Sequence, residues 1–213
     1  MNAQVTALVL AGGRGQRMQG RDKGLQVWAG RPLLQHALDR LRAQTRPPHA
    51  LAINANRHLA DYQALGLPVW PDVWPDFAGP LAGMLTGLTH ARTPWLLTVP
   101  CDSPRFPLDL LARLQDACHQ HQAPMALAAT PRPDGALRPE SVFALLHRDL
   151  APTLQQYLQA DGRKIETWAM AQGACLVGFD QAHDDPQAFV NLNTLAELHA
   201  LAADGIQPSQ DPS

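Results

Sequence analysis

The chain has 213 residues, a formal net charge of −2, and 46% hydrophobic and 17% charged residues. That length suits one globular domain with a substantial core, and the charge balance offers no basic field for nucleic acid. No apolar run approaches the ~18 residues of a membrane span, and no secretory signal pattern opens the chain. Cys101, Cys118 and Cys175 are too widely spaced for a zinc site or a disulfide framework. A reducing cytoplasm is the expected setting.

The first half alternates short apolar runs with helical patterns. Val5–Leu10, Ala50–Asn54, Pro68–Trp70 and Trp95–Val99 read as strands. Between them, Leu33, Leu34, Ala37, Leu38 and Leu41 recur at helical spacing after Pro32, which suits a first turn. Leu59–Leu65 reads as a shorter helix stopped by Gly66, Leu81–Ala91 as a helix after Gly79-Pro80, and Leu108–His121 as another. Such alternation predicts βαβ units, hence an α/β fold with a mostly parallel, Rossmann-like sheet and helices on both faces.

The second half is less regular. Met125–Thr130 and Leu137–Leu146 read as strands around the turn Pro131–Gly135. Leu150–Gln159 and Arg163–Met170 read as helices, and Ala174–Val177 and Phe189–Leu192 as short strands. On the last of these, Asn191 and Asn193 would share one face, with Val190 and Leu192 toward the core. Thr194–Glu197 forms a capping box for a final helix. A single domain over 1–203 is expected, with 204–213 a disordered tail.

In open parallel sheets, ligands bind beyond the carboxyl ends of the strands, where the strand order reverses. The segments 12–23, 54–57, Asp72 and Cys101-Asp102 all follow predicted strands and should converge there. The loop after the first strand carries Gly12, Gly13, Gly15, Gly20 and Gly24 with cations at Arg14, Arg17, Arg21 and Lys23. Glycines let backbone N–H groups approach an anion, and the cations add charge, so a phosphate-rich ligand fits. The loop is neither a P-loop, since Arg21-Asp22 follows Gly20, nor a dinucleotide fingerprint, since Met18 stands where its third glycine belongs. Asp102 has two readings from its position alone: a ligand for a hard cation such as Mg2+ beside phosphate, or the opening residue of the turn before Pro104. Cys118-His119-Gln120-His121 is not read as a metal site, because Cys118 falls on the apolar helix face and the histidines crowd a helix end.

The segment Leu10–Leu25, LAGG-x3-RM-x-G-x-DKGL, resembles the signature of the molybdenum cofactor guanylyltransferases, nucleotidyltransferases with a Rossmann-like fold. The family pattern has Gly-Gly after Arg-Met, where this chain has Gln19-Gly20. Asn54–His58 (NANRH), Gly79–Gly83 (GPLAG), Pro100–Pro104 (PCDSP) and Phe189–Thr194 (FVNLNT) extend the resemblance over roughly residues 4–202. It implies nucleotide contacts at Leu10, Ala11, Gly12, Gly13, Lys23, Asn54, Asp72, Gly79 and Asp102, with Mg2+ on Asp102. A compact ammonium at Lys23 would neutralise the triphosphate during attack at the α-phosphorus, and Arg17 would serve the leaving pyrophosphate. Asp22 either orients Lys23 or caps the next turn. Asn191, Asn193 and Arg138 would lie toward the pterin, although Arg138 also reads as a surface hairpin residue and Asn193 as a loop residue. The implied substrates are GTP and molybdenum-bound molybdopterin, with cofactor-synthesis proteins and apo-molybdoenzymes as partners. Two alternatives stay open: a related enzyme using CTP or a sugar phosphate acceptor, and a non-catalytic carrier of nucleotide or cofactor.

Overall fold

A computed structural model of the chain describes residues 4–11, 22–74 and 79–192. The predicted sites Gly12, Gly13, Arg17 and Asn193, the final helix and the tail lie outside the described residues. The strands are β1 (Val5–Leu10), β2 (Val27–Trp28), β3 (Arg31–Pro32), β4 (Ala50–Asn54), β5 (Val69–Trp70), β6 (Trp95–Pro100), β7 (Met125–Pro131), β8 (Leu137–His147) and β9 (Cys175–Gly178). The helices are α1 (Leu33–Arg42), α2 (Leu59–Gln63), α3 (Pro80–His90), α4 (Leu110–His121), α5 (Ala151–Gln159) and α6 (Ile165–Ala171).

Seven strands form one sheet in the order β5-β4-β1-β6-β8-β7-β9, while β2 and β3 make a separate two-stranded ribbon. Pairing in the large sheet is parallel except on both sides of β8. Strands covered on both faces read as continuous apolar runs, as β1 and β6 do. Side chains alternate between two cores. Ala7, Val9, Leu97 and Val99 pack with α1, α2 and α4, and Leu8, Leu96, Ala144 and Leu146 pack with α3, α5 and α6.

From β1 the chain steps through α1 to β4 on one side, then returns through α3 to β6 on the other. These connections run in opposite directions, so crossovers of one hand place α1 and α3 on opposite faces. The order reversal flanks β1, which makes its carboxyl end the crevice of the sheet. Among the described residues no helix is long and apolar enough to cross a membrane.

Two expectations are corrected. Pro32 stands one residue before α1 rather than within its first turn. Phe189–Leu192 is not a strand: it runs through turn and irregular backbone, with Val190 49% exposed. Its apolar residues serve a covering loop, in which Phe189 packs edge-on against Phe143 and Phe179. Asn191 therefore has no strand face to share with Asn193.

Candidate active site

Three strands end in register at the carboxyl edge. Leu10 lies opposite Asn54 of β4 on one side and Pro100 of β6 on the other. The pairing continues past the strands, with Ala11 N donating to Asn54 O at 2.9 Å and Cys101 N to Leu10 O at 3.2 Å. The loops after β1, β4 and β6 thus leave the sheet from one rigid line.

On the β6 side, Lys23 Nζ donates to Asp102 Oδ2 at 2.9 Å, with the side chains 31% and 14% exposed. Lys23 opens a short 3-10 turn, Lys23–Leu25, whose cap is Asp22. The Asp22 carboxylate accepts from Gly24 N at 3.3 Å and from the Tyr62 hydroxyl at 2.7 Å. Of the two readings for Asp22, the capping one is observed. Both Asp22 and Tyr62 are buried, and burial together with the Asp22 carboxylate pushes the Tyr62 phenol far above its ordinary range, so it remains a donor. Cys101, buried beside Asp102, has its thiol raised chiefly by desolvation and then by the neighbouring carboxylate.

On the β4 side lies a cluster of amides and a carboxylate. Asn54 Nδ2 donates to Trp70 O at 3.0 Å and to Asp72 Oδ1 at 2.8 Å. Asn56 Nδ2 donates to Asp72 Oδ2 at 2.7 Å, and its own oxygen accepts from Asp72 N at 2.7 Å. Each Asp72 oxygen is oriented by one amide and keeps lone-pair capacity for another donor. The sequence reading placed Asn56 in the converging segment 54–57 but gave it no role of its own, although the Asn-x-Asn spacing after a strand is its signal. Gly79, with φ +70°, caps α3, and Gly83 brings that helix against Asn54: a Cβ there would lie 2.5 Å from Asn54 Oδ1.

The remaining predicted residues divide. Asn191 is tied to the Asp102 loop, since its Oδ1 accepts from the Ser103 hydroxyl and Leu192 N donates to Asp102 O at 2.7 Å. Arg138 is not drawn into the cluster. It pairs with Glu140 at 2.7 Å on the exposed β7–β8 hairpin, which favours the surface reading. Cys118 is buried, and the Cys175 thiol donates to Met125 O at 3.5 Å.

Residues 7–174 match the MobA-like NTP transferase domain. The chain is 51% identical over 208 residues to the molybdenum cofactor guanylyltransferase of Acidovorax sp. (strain JS42), covering 95% of this chain and 97% of that protein. It is 49% identical over 197 residues to the enzyme of the same name from Bordetella pertussis, covering 92% and 96%. Among solved structures, molybdopterin-guanine dinucleotide biosynthesis protein A from Archaeoglobus fulgidus superposes with a TM-score of 0.72 at 17% identity, covering 94% of this chain and all of that one (100%). A CMP:2-keto-3-deoxy-manno-octonic acid synthetase complexed with CTP shares the fold, with a TM-score of 0.69 at 15% identity over 95% and 98% of the two chains. Half-identity across nearly the full length of both chains, on this fold, makes the protein a member of the molybdenum cofactor guanylyltransferase family.

Proposed function

We propose that the chain transfers the GMP unit of GTP to molybdenum-bound molybdopterin, releasing pyrophosphate and forming the guanine dinucleotide form of the cofactor. One observation carries this beyond family membership: a lysine–carboxylate pair, Lys23–Asp102, shares the crevice edge with the amide-oriented carboxylate of Asp72. The first pair suits a triphosphate and its cation; the second suits the donor-rich edge of a guanine.

The terminal phosphate oxygen of the pterin attacks the α-phosphorus, a new P–O bond forms, and the bond to the β-phosphate breaks with its electrons on pyrophosphate. The attacking phosphate is ionised at neutral pH, so positioning and charge compensation dominate rather than a general base. Lys23 neutralises charge on the triphosphate, and Arg17 serves the leaving group. Leu10, Ala11, Gly12, Gly13 and Gly79 contribute backbone around the nucleotide, and Asn54 with Asp72 reads the base. Asn191 and Asn193 serve the pterin.

Asp102 fits a Mg2+ ligand. Mg2+ characteristically takes one or two carboxylates plus phosphate oxygens and water, and no closed cage of three His, Cys, Asp or Glu side chains exists among the described residues. When bound, the ion supplies charge neutralisation across the phosphates. Residues 1–203 act as one unit in the cytoplasm and hand the product to apo-molybdoenzymes.

The test is pyrophosphate release with GTP, CTP, ATP or UTP in Mg2+, with and without molybdenum-bound molybdopterin. Release with GTP alone, and only with the pterin, supports the proposal. Release with CTP instead moves the base preference, and GTP binding without release under any condition makes the chain a carrier.

A further inference from the structure

Asp22 and Tyr62 stand outside the groups that meet the substrates, yet they form a deeply buried polar pair near the crevice. Asp22 is 5% exposed and Tyr62 fully buried (0%). The phenol reaches the carboxylate from α2, across 40 residues of sequence. A carboxylate this buried is costly without partners, and its partners among the described residues, the Tyr62 hydroxyl and Gly24 N, both act on the turn that carries Lys23. Backbone bonds close the same turn, Leu25 N to Asp22 O at 3.2 Å and Gln26 N to Lys23 O at 3.1 Å. Gly24 is shaped for the contact, since a Cβ there would lie 2.6 Å from the Tyr62 hydroxyl oxygen and 3.4 Å from the Ala11 Cβ.

Resting on the function proposed above, we infer that Asp22 and Tyr62 are positioning residues: the phenol–carboxylate bond pins the 3-10 turn so that the Lys23 ammonium is held at Asp102. Tyr62 follows Asn54 through the short segment leading into α2. The pair therefore ties the base side of the crevice to its phosphate side. Lysine is scarce in this chain, which has only Lys23 and Lys164. A point charge on a flexible stem needs external restraint that a planar guanidinium needs less, and the buried pair supplies it at the root of the side chain.

The experiment compares Tyr62→Phe, Asp22→Asn and Asp22→Ala, each alone and with Lys23→Ala. It measures kcat for pyrophosphate release and GTP affinity without the pterin. Tyr62→Phe keeps the ring and removes only the hydroxyl; it is expected to lower kcat about tenfold while GTP affinity stays within about threefold. Asp22→Asn retains an oxygen for both donors and loses less than about threefold, whereas Asp22→Ala loses about tenfold. On the Lys23→Ala background, Tyr62→Phe adds less than about twofold, because the residue it acts through is gone. Equal losses on the two backgrounds, or unchanged kcat in Tyr62→Phe, overturn the inference.

A second readout is independent of turnover. With lysine labelled at 13Cε, the protein shows two side-chain signals, assigned with Lys164→Arg. Tyr62→Phe and Asp22→Ala should move the Lys23 signal toward its position in Asp102→Asn and leave Lys164 in place. An unmoved Lys23 signal overturns the inference, whatever the substrate. A wild-type chain silent in transfer, with Lys23 shifted as expected, overturns the proposed function alone.

Discussion

Asp102 and Lys23 meet across 79 residues of sequence, and each compensates the other's charge. Removing either takes away that compensation and, in the proposed mechanism, deletes a group aimed at charge that develops during transfer. Loss of one such preorganised group typically costs about 3 kcal/mol of transition-state stabilisation, so Asp102→Ala or Lys23→Ala should lower turnover at least about a hundredfold. Circular dichroism should show both variants folded, and near-native pyrophosphate release in either one removes its assigned role. The thiols allow a pH prediction. The hydrogen bond from Cys118 pulls Cys175 down to about 7 against partial burial, while Cys118 and Cys101 are pushed up. Because the thiolate is the nucleophile, iodoacetamide should label Cys175 first, at a rate rising about tenfold per pH unit below 7 and levelling above it. Peptide mapping by mass spectrometry checks this; earlier labelling of Cys101 contradicts it. The convergence of Lys23, Asn54 and Asp102 on one sheet edge was legible, because each lies in a compact motif that follows a strand. The bonds that Asn56 and Tyr62 make were not, because their partners lie 16 and 40 residues away in sequence.

Among the elements, α3 is the one whose fit is tightest. Every residue from Leu81 to Leu88 is buried, and Gly83 and Gly87, one turn apart, let its backbone lie close to the sheet. A Cβ on Gly83 would meet Asn54 Oδ1 at 2.5 Å and Leu10 Cδ2 at 2.8 Å, whereas one on Gly87 would meet Leu96 and Leu8 methyls at 2.6 and 2.7 Å. Overpacking of this kind costs about 1–3 kcal/mol. Gly83→Ala and Gly87→Ala should therefore lose similar stability in urea. Only Gly83→Ala should weaken GTP binding, because only it displaces the amide that holds Asp72. Equal GTP affinity in the two variants refutes that division. The regular elements were legible from periodicity because parallel strands buried on both faces leave long apolar runs. Phe189–Leu192 misled because four residues with three apolar side chains, two of them buried, fit a covering loop as well as a strand. The β2–β3 ribbon, two residues per strand, is too short to leave a period at all.

At the scale of the whole molecule, alternation of strand and helix was enough to anticipate a mostly parallel sheet with its crevice at the carboxyl edge. The antiparallel insertion of β8 between β6 and β7 was not legible, since which strand neighbours which is decided by packing across the sheet rather than by local pattern. The same topology builds the crevice from distant pieces, and the last of them among the described residues is the bond from Leu192 N to the Asp102 carbonyl. On the ribosome, chain growth at about 5–20 residues per second separates those two residues by roughly 5–20 s. The loop bearing the acidic side chain emerges long before its cover exists. A nascent chain is thus expected to acquire its nucleotide crevice in two instalments, the first from the parallel strands and the second only once Leu192 has been made. A chain stopped just short of Leu192 would lack the bond that covers the Asp102 loop.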